Sequence, residues 1–361
     1  MRFLQELCSI PTAPFVEDRV YDYINSFVQQ RSRLSMRNDH FGNRLITLPG
    51  RSRSRRLVFV AHTDHPGFVA RRMVDRHHVQ CDFRGGVMRE YVQDARVRFF
   101  DRDDEITGTV TKAQPSKQRP AFAGGAIVHV RKPVPMNTPG MFDQGIGRVT
   151  NGKFYSRVCD DLAGAAAALT LLDNLHKQSV KLQSTVCVLL TRAEEEGFVG
   201  AIAAVKDGTL LRRDDRMISI ECSAAQPYAS QGNGVIIRVG DRISVFNSAF
   251  TFFLTQQAEQ LAKRDKKFKH QRALMPGGAC EGTVFDAYGY RTGAICVPLG
   301  NYHNMDRARK RIGPEYVDVN DWQIMVKLFT AIATNAHQFD DQMSPLKTRL
   351  EKRFNKLKRL L

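Results

Sequence analysis

The chain has 361 residues, 42% of them hydrophobic and 25% charged, with a net charge of +17. This is globular composition with room for one large domain or two smaller ones, and no run of about 18 apolar residues marks a membrane-spanning helix. Seven scattered cysteines without a C-x-x-C pair argue against a disulfide framework or a cysteine-built zinc site. With no apolar leader at the N-terminus, the cytoplasm is the expected compartment.

In chain order, the first strong signal is residues 57–61 (LVFVA), a short apolar run of the kind found in strands buried on both faces. From 69 to 155 the pattern turns to short strand-like segments, 78–83, 95–101, 106–113 and 126–132, punctuated by Gly and Pro. These predict a small inserted β-barrel-like domain over 69–155. Residues 161–175, rich in Ala and Leu, predict a helix. The buried-strand pattern returns at 185–190, 217–220 and 292–297, with helices predicted over 250–264 and 314–337. The alternation predicts an α/β fold, a mostly parallel sheet flanked by helices, built from 1–68 and 156–345.

Residues 346–361 form a basic tail with Leu346, Leu350, Phe354, Leu357 and Leu361 at helical spacing. Such a tail docks on its own chain, on a membrane surface or on an acidic partner. Other basic runs, 51–56 and 263–269, match no nucleic-acid motif, so no specific nucleic-acid partner is expected. They read as solvated faces or as non-specific polyanion contacts.

The residues that follow the apolar runs carry the chemistry. His62 and Asp64 follow the first strand, Asp160 and Asp161 precede the Ala-rich helix, and Glu194, Glu195 and Glu196 follow the second strand. Glu221 follows the third and His303 the fourth. Ligands of open α/β sheets bind outside the carboxyl ends of the strands. Each signal alone is ordinary: an Asp-Asp pair is commonly a solvated turn, and a lone His after a strand is commonly structural. Together they supply imidazoles and carboxylates, the donors that zinc takes, and enough of them for two ions sharing a carboxylate. A metal-bound His usually donates its second N–H to a carboxylate, and His-x-Asp makes Asp64 the candidate to orient His62.

These motifs resemble the tetrahedral zinc aminopeptidase family, whose members include glutamyl, lysyl and deblocking aminopeptidases. The likeness runs from AHTDHPGF through VCDDLAG and AEEEGFVGA to NYHN, leaving only the basic tail outside it. The resemblance implies Asp160 as a bridging carboxylate, followed by a cis peptide bond. It implies His62, Asp160 and Glu221 on one metal, and Asp160, Glu195 and His303 on the other, with Glu194 as general base. Glu221 departs from the family's usual Asp by one methylene. The two divalent ions would be zinc, with cobalt or manganese as substitutes. The domain inserted between His62 and Asp160 is similar to the family's dimerisation domain, which implies a homo-oligomer of dimers up to a dodecamer. The implied activity is removal of N-terminal residues from peptides. Two other readings stay open: a deacylase or carboxypeptidase-like hydrolase on the same site, and a degenerate, basic binding protein.

Overall fold

The computed structural model describes residues 1–51, 55–102, 104–178, 181–341 and 343–361; in the basic run 51–56, positions 52–54 lie outside them, as does the side chain of Leu346. Four parallel strands form the centre of a large sheet, in the order Val186–Thr191, Leu57–His62, Arg216–Ala224 and Arg291–Gly300. These are the four apolar runs of the sequence. Their side chains alternate between two cores. Leu57, Phe59 and Ala61 enter the larger one, with Val186, Val188 and Leu190. Val58, Val60, Cys187 and Leu189 enter the other. Both faces are covered, which is why these strands are continuously apolar rather than alternating.

The helix Leu162–Lys177 lies on the larger core, and its residues Ala163 and Ala165 to Ala168 are fully buried. Small side chains let it sit close to the sheet. Helices Ser248–Arg264 and Val319–Asn335 share that core, while Val199–Asp207 and Glu281–Ala287 cover the opposite face. All seven cysteines are buried thiols.

The predicted helix over 314–337 needs correction. Glu315–Asp318 is a strand paired antiparallel with Lys153–Ser156 and with the end of Arg291–Gly300, and the helix begins at Val319. Asp318 caps it, accepting hydrogen bonds from the amides of Asn320 and Asp321, so the register change from strand to helix falls on one Asp.

The inserted domain is a closed barrel of six strands between Gly67 and Phe142. It has its own core of Phe68, Val79, Phe83, Val97, Phe99, Val128 and Phe142, joined by Met305 from the α/β domain. The next strands, Arg148–Thr150 and Lys153–Ser156, pair into the large sheet. At the other end of the chain, Met343–Leu357 is a helix. No helix among the described residues is long and apolar enough to cross a membrane.

Candidate metal centre

The strand ends converge at one point. His62 closes its strand, and Glu194–Glu196 form a single turn just beyond Thr191. Glu221 lies within Arg216–Ala224, and His303 sits in the short turn Tyr302–Asn304 after Gly300. Asp160 comes just before the Ala-rich helix, and the Asp160–Asp161 peptide bond is cis. The turns need unusual backbone. Ala193, Asn301, His303 and Asn304 all have positive φ, a conformation concentrated at functional sites. Glycine is required twice in the Glu-rich segment: Gly197 has φ +93°, and a Cβ on Gly200 would lie 2.2 Å from the carbonyl oxygen of Arg192.

Two groups of three buried or nearly buried donors result, His62, Asp160 and Glu221 in one, Asp160, Glu195 and His303 in the other; within each, the ligand atoms lie within 4.8 Å of one another. Asp160 belongs to both. Its Oδ1 is 3.6 Å from His62 Nε2 and its Oδ2 is 3.8 Å from His303 Nε2. Glu195 Oε1 is 3.1 Å from His303 Nε2. Two further groups overlap these, His62 with Glu194 and Glu195, and Asp160 with Asp161 and Cys222. Glu194 Oε2 is 3.9 Å from His62 Nε2.

The donors are held by backbone contacts. Asp64 is fully buried, and its carboxylate accepts hydrogen bonds from the amides of Glu194 (2.9 Å) and Glu195 (3.1 Å). His62 Nδ1 faces the backbone carbonyl of Asp64 at 3.2 Å and its carboxylate at 3.5 Å. Asp64 thus ties the first strand to the Glu-rich turn as well as bordering His62. Glu315 makes a second clamp. It accepts from the amides of Cys159 (2.7 Å), Asp160 (3.1 Å) and His303 (2.8 Å). His303 Nδ1 is 2.8 Å from the carbonyl oxygen of Gly86, the barrel's contribution. His65 lies outside both groups. Its ring nitrogens face the Asp160 carbonyl (2.8 Å) and Asn304 Oδ1 (3.0 Å).

The electrostatics call for cations. Burial pushes the carboxyls of Glu194, Glu221 and Asp161 well above the usual range. Burial opposes charge on His303, but Glu195 and Asp160 outweigh it and raise its pKa to about 9. Asp160 Oδ1, Glu195 Oε1 and His303 Nε2 are buried without a hydrogen-bond partner. Buried, unpartnered donors of this kind, carboxylate oxygen and imidazole nitrogen, are what divalent metal ions bind. The residues present fit such ions.

Sequence reading passes over several residues here. Glu315 works through backbone amides, which leave no motif. Glu281, in the Gly-rich stretch 276–289, is 1% exposed with both carboxyl oxygens unpartnered, and burial raises its pKa to about 7. Arg238, at 3% exposure, lines a cavity of about 130 Å³ with Glu221, Met275, Gly277, Tyr302 and Arg307. This cavity shares Ala224, Gln226, Tyr302 and Arg307 with an open cleft of about 830 Å³. The positive run 307–311 at the cleft carried no signal of its own in the sequence.

Comparison with known proteins follows the same lines. The model of the M42 glutamyl aminopeptidase family matches residues 129–312, just over half of the chain. The protein YhfE of Bacillus subtilis (strain 168), which carries the name of an aminopeptidase, is 27% identical over 219 residues, 55% of this chain. The match spans 63% of that relative's length. Among solved structures, the TET1 peptidase of Pyrococcus horikoshii superposes with a TM-score of 0.75 at 20% identity, covering 92% of this chain and 98% of that one. That peptidase can assemble into a tetrahedron or a large octahedral shell. The aminopeptidase APDkam598 of Desulfurococcus kamchatkensis gives 0.76 at 19% identity, covering 92% and 94%. At these identities the structural likeness shows the fold.

Proposed function

The chain belongs to the M42 glutamyl aminopeptidase family, and from that premise we propose that it is a metal-dependent aminopeptidase with a dinuclear site. One observation carries the reading: two three-donor groups share Asp160 at the carboxyl ends of the central strands. His62, Asp160 and Glu221 would hold one ion, and Asp160, Glu195 and His303 the other, with zinc favoured by the donors and cobalt or manganese able to replace it. Bound there, the ions supply an activated water and polarise the scissile carbonyl.

The chain's own residues do the rest. Glu194 is the general base: its carboxylate takes a proton at the attacking oxygen's side and returns it to the leaving amine. Burial supports this role, because it pushes that carboxyl well above the ordinary range and so strengthens its hold on a proton between the two transfers. Asp64 orients His62 and fixes the amides of Glu194 and Glu195, which keeps base and ligand in register. The small cavity beside Glu221 receives the side chain of the first residue, and the open cleft receives the remainder of the peptide. Arg238 and Arg307 in that cavity favour an acidic first residue. Assembly into a homo-oligomer belongs to the same reading, by analogy with the tetrahedron or octahedral shell of the TET1 relative, with the barrel of this chain as the subunit contact.

The test is hydrolysis by chelator-stripped enzyme refilled with zinc, cobalt or manganese, on aminoacyl p-nitroanilides and on the same substrates with acetylated N-termini. Release from free N-termini only when metal is present is the expected result. Turnover of acetylated substrates in preference would move the reading to a deacylase. Absence of turnover with every metal would end it.

A further inference from the structure

The C-terminal helix Met343–Leu357 bears on none of the chemistry above, and among the described residues its side chains from 347 onward are exposed rather than packed on the α/β domain. Its appreciable contacts are with the short turns Ala336–Asp341 and Lys358–Leu360 at its own ends. Leu350 is 57% exposed, Phe354 56% and Leu357 41%, and beyond the helix Leu360 and Leu361 are 83% and 100% exposed. At 3.6 residues per turn, Leu350, Phe354 and Leu357 stand four and three positions apart and form a single narrow apolar stripe.

Cations border this stripe on both sides. On the same helical geometry, Arg349 and Arg353 fall along one edge and Lys347 along the other. Lys358 Nζ lies 6.0 Å from the centre of the Phe354 ring. Between 347 and 361 there are seven lysines and arginines and one acid, Glu351, which is 3.8 Å from Lys347 Nζ. The spacing alone would equally suit a groove or a coiled-coil seam. The long cationic side chains on both edges favour a flat anionic boundary, where the stripe enters the acyl region and the cations reach back to headgroup phosphates and carboxylates.

We propose that this helix is an interfacial anchor that docks the protein reversibly on a membrane surface rich in anionic lipid. The charge is complementary, since juxtamembrane Lys and Arg are attracted to anionic leaflets within a Debye length. The apolar stripe is short, so charge and stripe must act together. The proposal stands apart from the peptidase reading, because the helix contributes nothing to the metal centre.

The experiment is co-sedimentation of the full-length protein with vesicles of phosphatidylcholine containing phosphatidylserine, against vesicles of phosphatidylcholine alone, with assembly size followed by light scattering. Binding to the anionic vesicles is expected, roughly tenfold or more weaker on neutral vesicles and weakened again by raised salt. The variant Leu350→Ser/Phe354→Ser should lose about tenfold in binding while assembly size stays constant. Equal binding to both vesicles, or none to the anionic ones, overturns the proposal. Undiminished binding by the variant would assign the effect to the positive charge of the whole surface and overturn it too. A smaller assembly in the variant would show that the stripe lies between subunits, and retention of nucleic acid by a protein that ignores vesicles would show a different partner; either result overturns the proposal.

Discussion

The α/β domain and the barrel are both well packed, yet they stand in different relations to the site. The α/β domain supplies every candidate metal donor, from strand ends and from the turn before a helix. The barrel supplies backbone: the Gly86 carbonyl reaches His303, and the Gly85 amide donates to Glu196 at 2.8 Å. Among the described residues, the sheet therefore carries the candidate donors in side chains, whereas the barrel's hydrogen bonds to the site come from its main chain. An insertion that contributes only backbone can vary in sequence without disturbing the donor set, provided its fold places residues 85 and 86.

The largest expected effect tests the sheet side of this contrast. Glu194→Gln should lower turnover by roughly a thousandfold or more while two metal ions per chain are still counted by atomic spectroscopy. Turnover near that of the parent would remove Glu194 from the mechanism. On the barrel side, Phe99→Ala removes a fully buried ring from the barrel core and should cost about 3–5 kcal/mol of stability in denaturant titrations. Activity per folded molecule and metal affinity should be unchanged, and a loss of metal at constant folded fraction would break the division between the regions.

Glu315→Gln sharpens it further. An amide has one oxygen where the carboxylate uses two to hold three amides, so roughly ten- to a hundredfold of metal affinity should be lost, as measured by competition with a chelator. The smallest effect belongs to Gly86→Ala. A Cβ there would meet the His303 ring at 3.6 Å, ordinary van der Waals contact, so turnover should stay within about twofold of the parent. A large loss would mean that the barrel acts on His303 through more than one carbonyl.

How much of this could be read beforehand follows from where each signal sits. Residues 57–61 and 185–190 were legible as strands because burial on both faces makes them wholly apolar, and the convergence of the candidate donors after them was legible because ligands follow strand ends. The barrel was legible from its short, punctuated strands. Glu315–Asp318 was not, because Pro314 precedes an apolar spacing that suits a helix start, and pairing with Lys153–Ser156 decides the matter at long range. The clamp by Glu315 and the cavity around Arg238 were hidden for the same reason: each depends on segments brought together only by the finished sheet.

Glu315 also bears on how the protein is made. Its three hydrogen bonds join the segment around Asp160 to the segment around His303, and it enters the chain after both. At a synthesis rate of about 5–20 residues per second, roughly ten seconds or more separate Asp160 from Glu315 on the ribosome. During that interval Glu195, Glu221 and His303 emerge in turn, and the amides of Cys159, Asp160 and His303 wait for the carboxylate that holds them together. The clamp is thus the last of these parts to be made, after every candidate donor it steadies.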